Sequence, residues 1–318
     1  MLKKSLDFYD SQTIDIVIPA YNVKHIIKKS VDSTLKQELP EGWHKNIIII
    51  DDGSSDGTAE YCRTLFKGKV NVISHDQNQG RSAARNTGWR SGSGKCVIFL
   101  DSDCEWLHKD SLIAHLENLE AGENVSTGTI IARNHTFWAE YFNMLQLARE
   151  KNFASGNYAA FTSANLAIKR SALEVVGGFD EGYRHYGFED RDFFLRLLAL
   201  GIKVHFCSKA AIIHTPDSSL KNIYRKMKEA GQYSSARFSS AHSEYYARSP
   251  YGRIDCRLHG FPLTTLSLVS GRFVLGLAGF GDRIINISFV PFKIKWAWVK
   301  IISALAYTVG TYLDTEGK

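Results

Sequence analysis

Over roughly the first 130 positions, apolar residues fall in short blocks separated by longer amphipathic stretches. The blocks IDIVIPA (14–20), NIIII (46–50), VNVIS (70–74) and KCVIFLD (95–101) have the length and composition of strands. Between them, 25–36, 58–66 and 81–92 carry apolar positions at helical spacing. Ile47, Ile48, Ile49 and Ile50 leave no polar face, which predicts a strand covered on both sides. Strand and helix in regular alternation predict a parallel sheet. In such a sheet ligands sit beyond the carboxyl ends of the strands. The residues closing each strand are therefore the candidates: Pro19-Ala20-Tyr21-Asn22, Asp51-Asp52-Gly53, the stretch 75–80, and Asp101-Ser102-Asp103.

A second block, 137–216, reads as a long polar loop, a helix over 170–176, the turn GGFDE, a helix over 189–200 and a strand AAIIH that closes on His214. Beyond it, SLKNIYRKMKEAGQYSSARF is basic and helical. From 261 onward the chain is apolar and aromatic, with Arg272, Lys293, Lys295 and Lys300 spaced along it. Within that tail WAWVKIISALAYTVGTYL (296–313) approaches the length of a membrane span, but Lys300 and several hydroxyl side chains interrupt it. The pattern predicts a helix lying at a headgroup boundary. Lys293, Lys295 and Lys300 would face anionic lipid, with Trp296 and Trp298 at the interface. Packing on the protein's own core or on a dimer partner, and a true span, are the alternatives.

Composition narrows this picture only slightly. A chain of 318 residues, 44% hydrophobic and 23% charged, can bury a full core. A formal net charge of +6 admits anionic partners such as phosphates or lipid headgroups, and no nucleic-acid partner is expected. The five cysteines are scattered without a C-x-x-C pair and read as reduced, structural thiols. Asp7, Asp10 and Asp15 interrupt any secretory signal at the start, so a cytoplasmic location is expected, peripheral on the cytoplasmic face of the membrane.

Two acid clusters carry the chemistry. Asp101 and Asp103, two residues apart at a strand end, suit a divalent cation that takes hard oxygen ligands, although acids at strand ends also arise as turn formers. In YGFEDRDFFLRL the apolar positions Phe193, Phe194, Leu197 and Leu198 define a helix face, which puts Glu189 and Asp190 at its N-terminus where the helix dipole favours carboxylates.

IVIPAYN, IIIIDDGSSDGT, NQGRSAARNTGW, VIFLDSDC, GGFDE and FEDRDFFLRL occur in this order over 14–214. In this series the chain resembles the family-2 glycosyltransferases, inverting enzymes of the GT-A fold that use nucleotide-sugar donors. The resemblance implies an α/β fold with a Rossmann-like, mixed and mainly parallel sheet flanked by helices. It also implies three regions: an N-terminal extension (1–13), a catalytic domain (14–216, with a nucleotide-binding part 14–131 and an acceptor-binding part 132–216), and a helical C-terminal region (217–318). By the same resemblance Asp51 or Asp52 accepts a hydrogen bond from the base, as from the imide of a UDP-sugar. Pro19, Ala20, Tyr21 and Asn22 form the other wall of the nucleoside pocket, with Tyr21 free to stack. Asp56, just before a helix, reads instead as a cap.

Arg81 or Arg85 would reach the nucleotide or its phosphates. Asp101 and Ser102 would contact the nucleotide, and Asp103 would bind Mn2+ or Mg2+ with His214 as a further ligand. The resemblance implies Asp190 as general base, with Glu189 as positioning residue or alternative base, and Asn165 on the sugar and acceptor side. The acceptor would be a glycan or lipid-linked glycan of the cell envelope. No Q-x-x-R-W motif of processive synthases is present, which favours transfer of one sugar per encounter. The competing readings are a polyprenol-phosphate glycosyltransferase, a nucleotidyltransferase, for which a Gly-rich basic loop is missing, and a non-catalytic nucleotide- or membrane-binding module on the same fold.

Overall fold

Why four consecutive isoleucines are tolerated is explained by the sheet they enter. In this computed structural model, which describes residues 10–133, 136–157, 161–215, 218–259 and 271–316, Ile47 and Ile49 belong to one hydrophobic cluster and Ile48 and Ile50 to another. The strand is covered on both faces, and successive side chains alternate between them.

Eight strands form one sheet: β1 (Asp10–Ala20), β2 (His44–Asp51), β3 (Asn71–Ser74), β4 (Gly94–Leu100), β5 (Cys104–Trp106), β6 (Val125–Ala132), β7 (Asn165–Lys169) and β8 (Val204–His214). Their order is β3-β2-β1-β4-β7-β6-β8-β5. β3, β2, β1 and β4 run parallel; β7 is antiparallel to both its neighbours, β6 and β8 are parallel, and β5 is antiparallel to β8. β1 starts at Asp10, four residues ahead of Ile14, because its first residues continue to pair with β4 across a register shift. Helices α1 (Ile27–Leu35), α2 (Thr58–Leu65) and α4 (Ser111–Glu120) contribute to the first cluster. α3 (Arg81–Ser91), α6 (Arg170–Val176) and α7 (Glu189–Ala199) contribute to the second. The five cysteines are free and buried, and burial pushes the thiols of Cys62 and Cys96 up to about 11 and about 12.

The region expected to be a polar loop after 137 contains instead α5 (Phe137–Ala154). Its apolar residues point in several directions, so no single stripe marks the helix in the sequence. Phe137, Trp138 and Tyr141 pack with one cluster, Phe142 meets His214, and Phe153 meets Phe161 and Phe206.

The chain divides into two compact units. The sheet unit takes the described residues up to 133 with 142–181 and 193–215; the second takes those in 134–141, 182–192 and from 216 on. The second unit consists mainly of helices: α8 (Leu220–Glu229), continued by a π-turn (Ala230–Ser234), then α9 (Ser235–Ala241), α10 (Ser243–Arg248), α11 (Gly271–Ile285) and α12 (Phe292–Glu316). In α12, Val299, Ile302, Ala306 and Val309 recur at helical spacing and are buried against Leu220, Tyr224, Val274 and Ala278. Each such Val, Leu or Ile side chain contributes about 1.5–3 kcal/mol.

This corrects two residues of the lipid-facing reading. Lys295 is buried, and Trp298 is half-buried with its ring edge toward Phe280, because the apolar stripe of α12 is the unit's own core. Lys293 and Lys300 are exposed, and Lys300 lies over the Trp296 ring at 3.5 Å. Among the described residues, no helix is long and apolar enough to cross a membrane.

Candidate active site

The strand register brings the predicted closers to one edge of the sheet. Ala20 stands opposite Asp51, Asp51 opposite Ser74, and Val17 opposite Phe99, so β1, β2, β3 and β4 end together. Pro19 and Ala20 close β1. Tyr21 beyond them is 49% exposed, and Asn22 adopts a left-handed conformation (φ 54°) that asparagine tolerates. Asn22 Oδ1 accepts from Ser55 N at 2.9 Å, while Asn22 N donates to Ser54 Oγ at 2.8 Å, tying the β1 closer to the turn after β2. Gly53 is required there: a Cβ on it would lie 2.5 Å from the backbone of Gln77.

The two acids after β2 have different environments. Asp52 is fully engaged: Oδ1 accepts from Gln79 N at 2.9 Å and lies 2.7 Å from His75 Nδ1, and Oδ2 accepts from Gly80 N at 2.9 Å. A carboxylate cannot donate, so Nδ1 carries the hydrogen, while Nε2 pairs with the Thr87 hydroxyl at 2.9 Å. Asp51 is equally buried, at 4% exposure, but only its Oδ2 has a contact, a long one of 3.4 Å from Ser54 N. Its Oδ1 is buried and has no hydrogen-bond partner. Native proteins rarely leave such an atom unpaired, and in a cleft an ordered water or a ligand N–H can satisfy it. Asp56, as expected, serves the next helix, accepting from Thr58 N at 3.0 Å and Lys24 N at 3.1 Å.

Arg81 lies exposed at the start of α3. Arg85, one turn on, does not face open cleft. It is 1% exposed, donates from Nη2 to Asp101 Oδ1 at 2.9 Å and lies over the Phe179 ring. Buried against Asp101, it does not project into the cleft, which corrects the expectation that it contacts the nucleotide or its phosphates directly. Asn86 beside it binds the GGFDE turn through Phe179 O and Glu181, which explains why the two motifs occur in one chain.

After β4 the chain turns through Asp101, Ser102 and Asp103, all partly exposed, and continues into β5. β5 pairs with β8 so that Cys104 stands opposite His214. That register sets His214 Nε2 3.1 Å from Asp103 Oδ2, and the Phe142 ring meets the imidazole edge-on at 5.4 Å. Burial opposes ionisation of Asp103, but the hydrogen bond and charge of His214 prevail and hold the carboxyl below its usual range. One oxygen and one nitrogen donor side by side fit a divalent cation that completes its shell with water and phosphate oxygens. Among the described residues, no group of three or more His, Cys, Asp or Glu side chains is placed to hold a metal by itself.

Asn165, expected on the sugar side, is not available. It is fully buried in β7, where Oδ1 accepts from His115 Nε2 at 2.9 Å and Nδ2 donates to Ala210 O at 2.8 Å and Thr129 O at 3.2 Å. It joins strands and cannot reach a ligand.

Glu189 and Asp190 open α7, Glu189 buried and Asp190 partly exposed. Phe188 immediately before them has φ 71°, a strained conformation for a bulky side chain. Its ring stacks on Phe238 at 4.7 Å with Tyr246 and Tyr251 at its edges, and this packing holds the turn.

The sequence profile of glycosyl transferase family 2 matches residues 15–177, half of the chain. The chain belongs to that family. A second profile, the N-terminal domain of galactosyltransferase, matches 144–218. Among curated relatives, the glycosyltransferase AglE of Haloferax volcanii is 30% identical over 178 residues, 52% of this chain and 55% of its own. The teichuronic acid biosynthesis glycosyltransferase TuaG of Bacillus subtilis, a putative assignment, is 36% identical over 106 residues, 33% and 40% of the two chains. An Escherichia coli protein, UDP-Glc:alpha-D-GlcNAc-diphosphoundecaprenol beta-1,3-glucosyltransferase WfgD, is 33% identical over 98 residues, 31% and 38% of the two chains. The chain thus spans about half or less of the length of these relatives.

The family's GT-A fold is shared with two solved structures. The mannosyltransferase PcManGT from Pyrobaculum calidifontis, in complex with GDP-Man and Mn2+, superposes with a TM-score of 0.58 at 17% identity, over 94% of this chain and 90% of that one. S. aureus TarS 1-349 in complex with UDP superposes at 0.51 and 16% identity, over 96% and 92%.

Two residues around these side chains, Phe142 and Phe188, were not singled out from the sequence, and a third, His75, entered only as part of the stretch 75–80. His75 locks Asp52, Phe142 fixes the His214 ring, and Phe188 sets the start of α7. A histidine one residue past a strand was the only visible signal, and the two phenylalanines gave none.

Proposed function

We propose that the protein is an inverting glycosyltransferase that moves one sugar from a nucleotide-sugar, of UDP type, to a hydroxyl of a glycan or lipid-linked glycan. The observation that carries the donor reading is the buried, unpartnered Oδ1 of Asp51 at the sheet edge. A single free acceptor suits a single imide N–H, as in uracil. Asp52, engaged on both oxygens, is the positioning acid that shapes the loop, so the choice between the two falls on Asp51. Tyr21 offers its exposed ring to the base, and Asp101, steadied by Arg85, faces the ribose.

Asp103 and His214 would hold Mn2+ or Mg2+, which when bound offsets the charge that develops on the departing diphosphate. Arg81 adds positive potential near Asp103. Asp190 takes the proton of the acceptor hydroxyl as it attacks the anomeric carbon, and the buried Glu189 positions that acceptor. Action on the cytoplasmic face of a membrane, on an envelope glycan, fits the exposed cations of α11 and α12 and the acceptors named for relatives such as WfgD.

Calorimetric titration with UDP, dTDP, GDP and CDP, each with manganese and with chelator, tests the proposal. Selective, metal-dependent binding of one nucleotide, abolished in Asp103→Ala and weakened in His214→Ala, is the expected result. Failure of every nucleotide to bind would end the reading.

A further inference from the structure

The helical unit carries a groove whose lining includes the exposed cations of α11 but none of the side chains assigned to donor, metal or base. Arg272, Leu275, Gly276, Gly279, Phe280 and Arg283 recur at three- and four-residue intervals and so share one face of α11. With Lys221 of α8 they line a cleft of about 620 Å³. Its floor is open at Gly276, where a Cβ would meet nothing within 4 Å, whereas a Cβ added at Gly279 would come within 3.0 Å of Lys221 Cε, so the lysine stem lies close over that glycine. Among the described residues, no acidic side chain lines it. A second cleft of about 490 Å³ shares Lys221 and Leu275 and extends the first past Arg225 and Lys228 to Glu229 and Tyr233. Tyr233, 50% exposed, stacks on His185 at 4.1 Å, and Glu229 accepts from Tyr186 N at 3.1 Å. The far end of the groove is thereby fastened to the 182–188 loop that leads directly into Glu189 and Asp190.

Three chemistries follow one another along this groove. Phe280, 56% exposed, and Leu275 offer apolar surface; among the described lining residues Lys221, Arg225, Lys228, Arg272 and Arg283 stand against one carboxylate, Glu229; and Tyr233 presents an aromatic face of the kind sugars stack on. We propose that the groove binds the lipid-phosphate end of the acceptor, the hydrocarbon along Leu275 and Phe280, a phosphate or diphosphate among the cations, and the glycan directed to Tyr233. The proposal rests on the glycosyltransferase reading and adds to it the class of acceptor: a glycan carried on a lipid through phosphate.

Farnesyl diphosphate is the probe. It is titrated into the full chain in the presence of chelator, which keeps diphosphate off the Asp103–His214 pair, beside inorganic diphosphate, farnesol and vesicles of phosphatidylglycerol. The expected result is saturable binding of one farnesyl diphosphate per chain, at least about tenfold tighter than either half of the molecule alone. Gly276→Phe, which fills the open floor without changing charge, and the double variant Arg272→Ser/Arg283→Ser should each weaken it at least about tenfold. Metal-dependent UDP binding and melting temperature should stay unchanged in both. Inorganic diphosphate binding as tightly, vesicles binding while farnesyl diphosphate does not, or Gly276→Phe leaving the affinity intact would each overturn the groove. Loss of UDP binding by the unaltered protein would instead sink the parent reading.

Discussion

Asp51 and Asp52 are adjacent, both acidic and both about 4% exposed, yet exchanging each for asparagine should give opposite results. In Asp52→Asn one oxygen becomes an NH2 group facing backbone N–H donors. The best rotamer keeps the contacts to His75 and Gln79 and turns a donor against Gly80 N. One lost bond to a charged acceptor plus one donor facing a donor costs about 2 kcal/mol, a fall of about 4–8 °C in the melting temperature of a unit this size. In Asp51→Asn the oxygen is kept toward Ser54 and the NH2 takes the place of the unpartnered Oδ1. The folded protein exchanges one unpartnered buried polar atom for another, keeps the long Ser54 contact and sheds a buried charge, so its melting temperature holds or rises. The nucleotide, however, meets a donor where it needs an acceptor. A charged hydrogen bond of about 1.5–3 kcal/mol is forfeited, and UDP affinity drops about 10- to 150-fold. Calorimetry with UDP and manganese reads the affinity and differential scanning fluorimetry the stability. Wild-type UDP affinity in Asp51→Asn, or a destabilised Asp51→Asn beside an intact Asp52→Asn, would refute the assignment of one acid to the ligand and the other to the loop.

Three further outcomes are expected. Asp190→Asn should lower turnover by about 10²–10⁴ while nucleotide affinity by calorimetry stays within twofold of wild type (about 0.4 kcal/mol), since a general base acts only on the attacking hydroxyl; near-normal turnover would remove Asp190 from the role. Phe188→Ala should destabilise the protein by about 3–5 kcal/mol in urea unfolding, and Phe188→Gly by about 1 kcal/mol less despite being smaller, because glycine alone relieves the positive φ. The third concerns His115, whose pKa burial lowers to about 4 against 6.5 unfolded. The unfolded chain binds the proton more readily, so this histidine leaves stability intact above pH 6.5 and removes about 3 kcal/mol as pH falls from 6.5 to 4. Unfolding free energies across that range should flatten in His115→Gln.

The sequence by itself determined the parallel half of the sheet and the edge where its strands end. There the information is local: a strand covered on both faces must be continuously apolar, a helix must repeat every three to four residues, and the acids that follow such strands stand where the chain turns. The same local logic placed Glu189 and Asp190 at the head of α7, since Phe193, Phe194 and Leu197 fix which residues precede the buried face.

Tertiary structure alone decided the rest, for reasons of pairing and partition. His214 becomes a neighbour of Asp103 because the three-residue strand β5 runs antiparallel to β8, a register fixed by contacts 111 residues apart in sequence. Asp51 and Asp52 are indistinguishable in a string of letters and differ only in which oxygens the β3–α3 loop reaches. Asn165 looked like a ligand-facing amide, but the sheet closes over it. α12 read as a helix for a lipid surface because a stripe of Val, Ile and Ala that fits a bilayer boundary fits a protein core equally well. Which of the two receives it depends on whether other helices of the same chain present a matching face, and here α8 and α11 do.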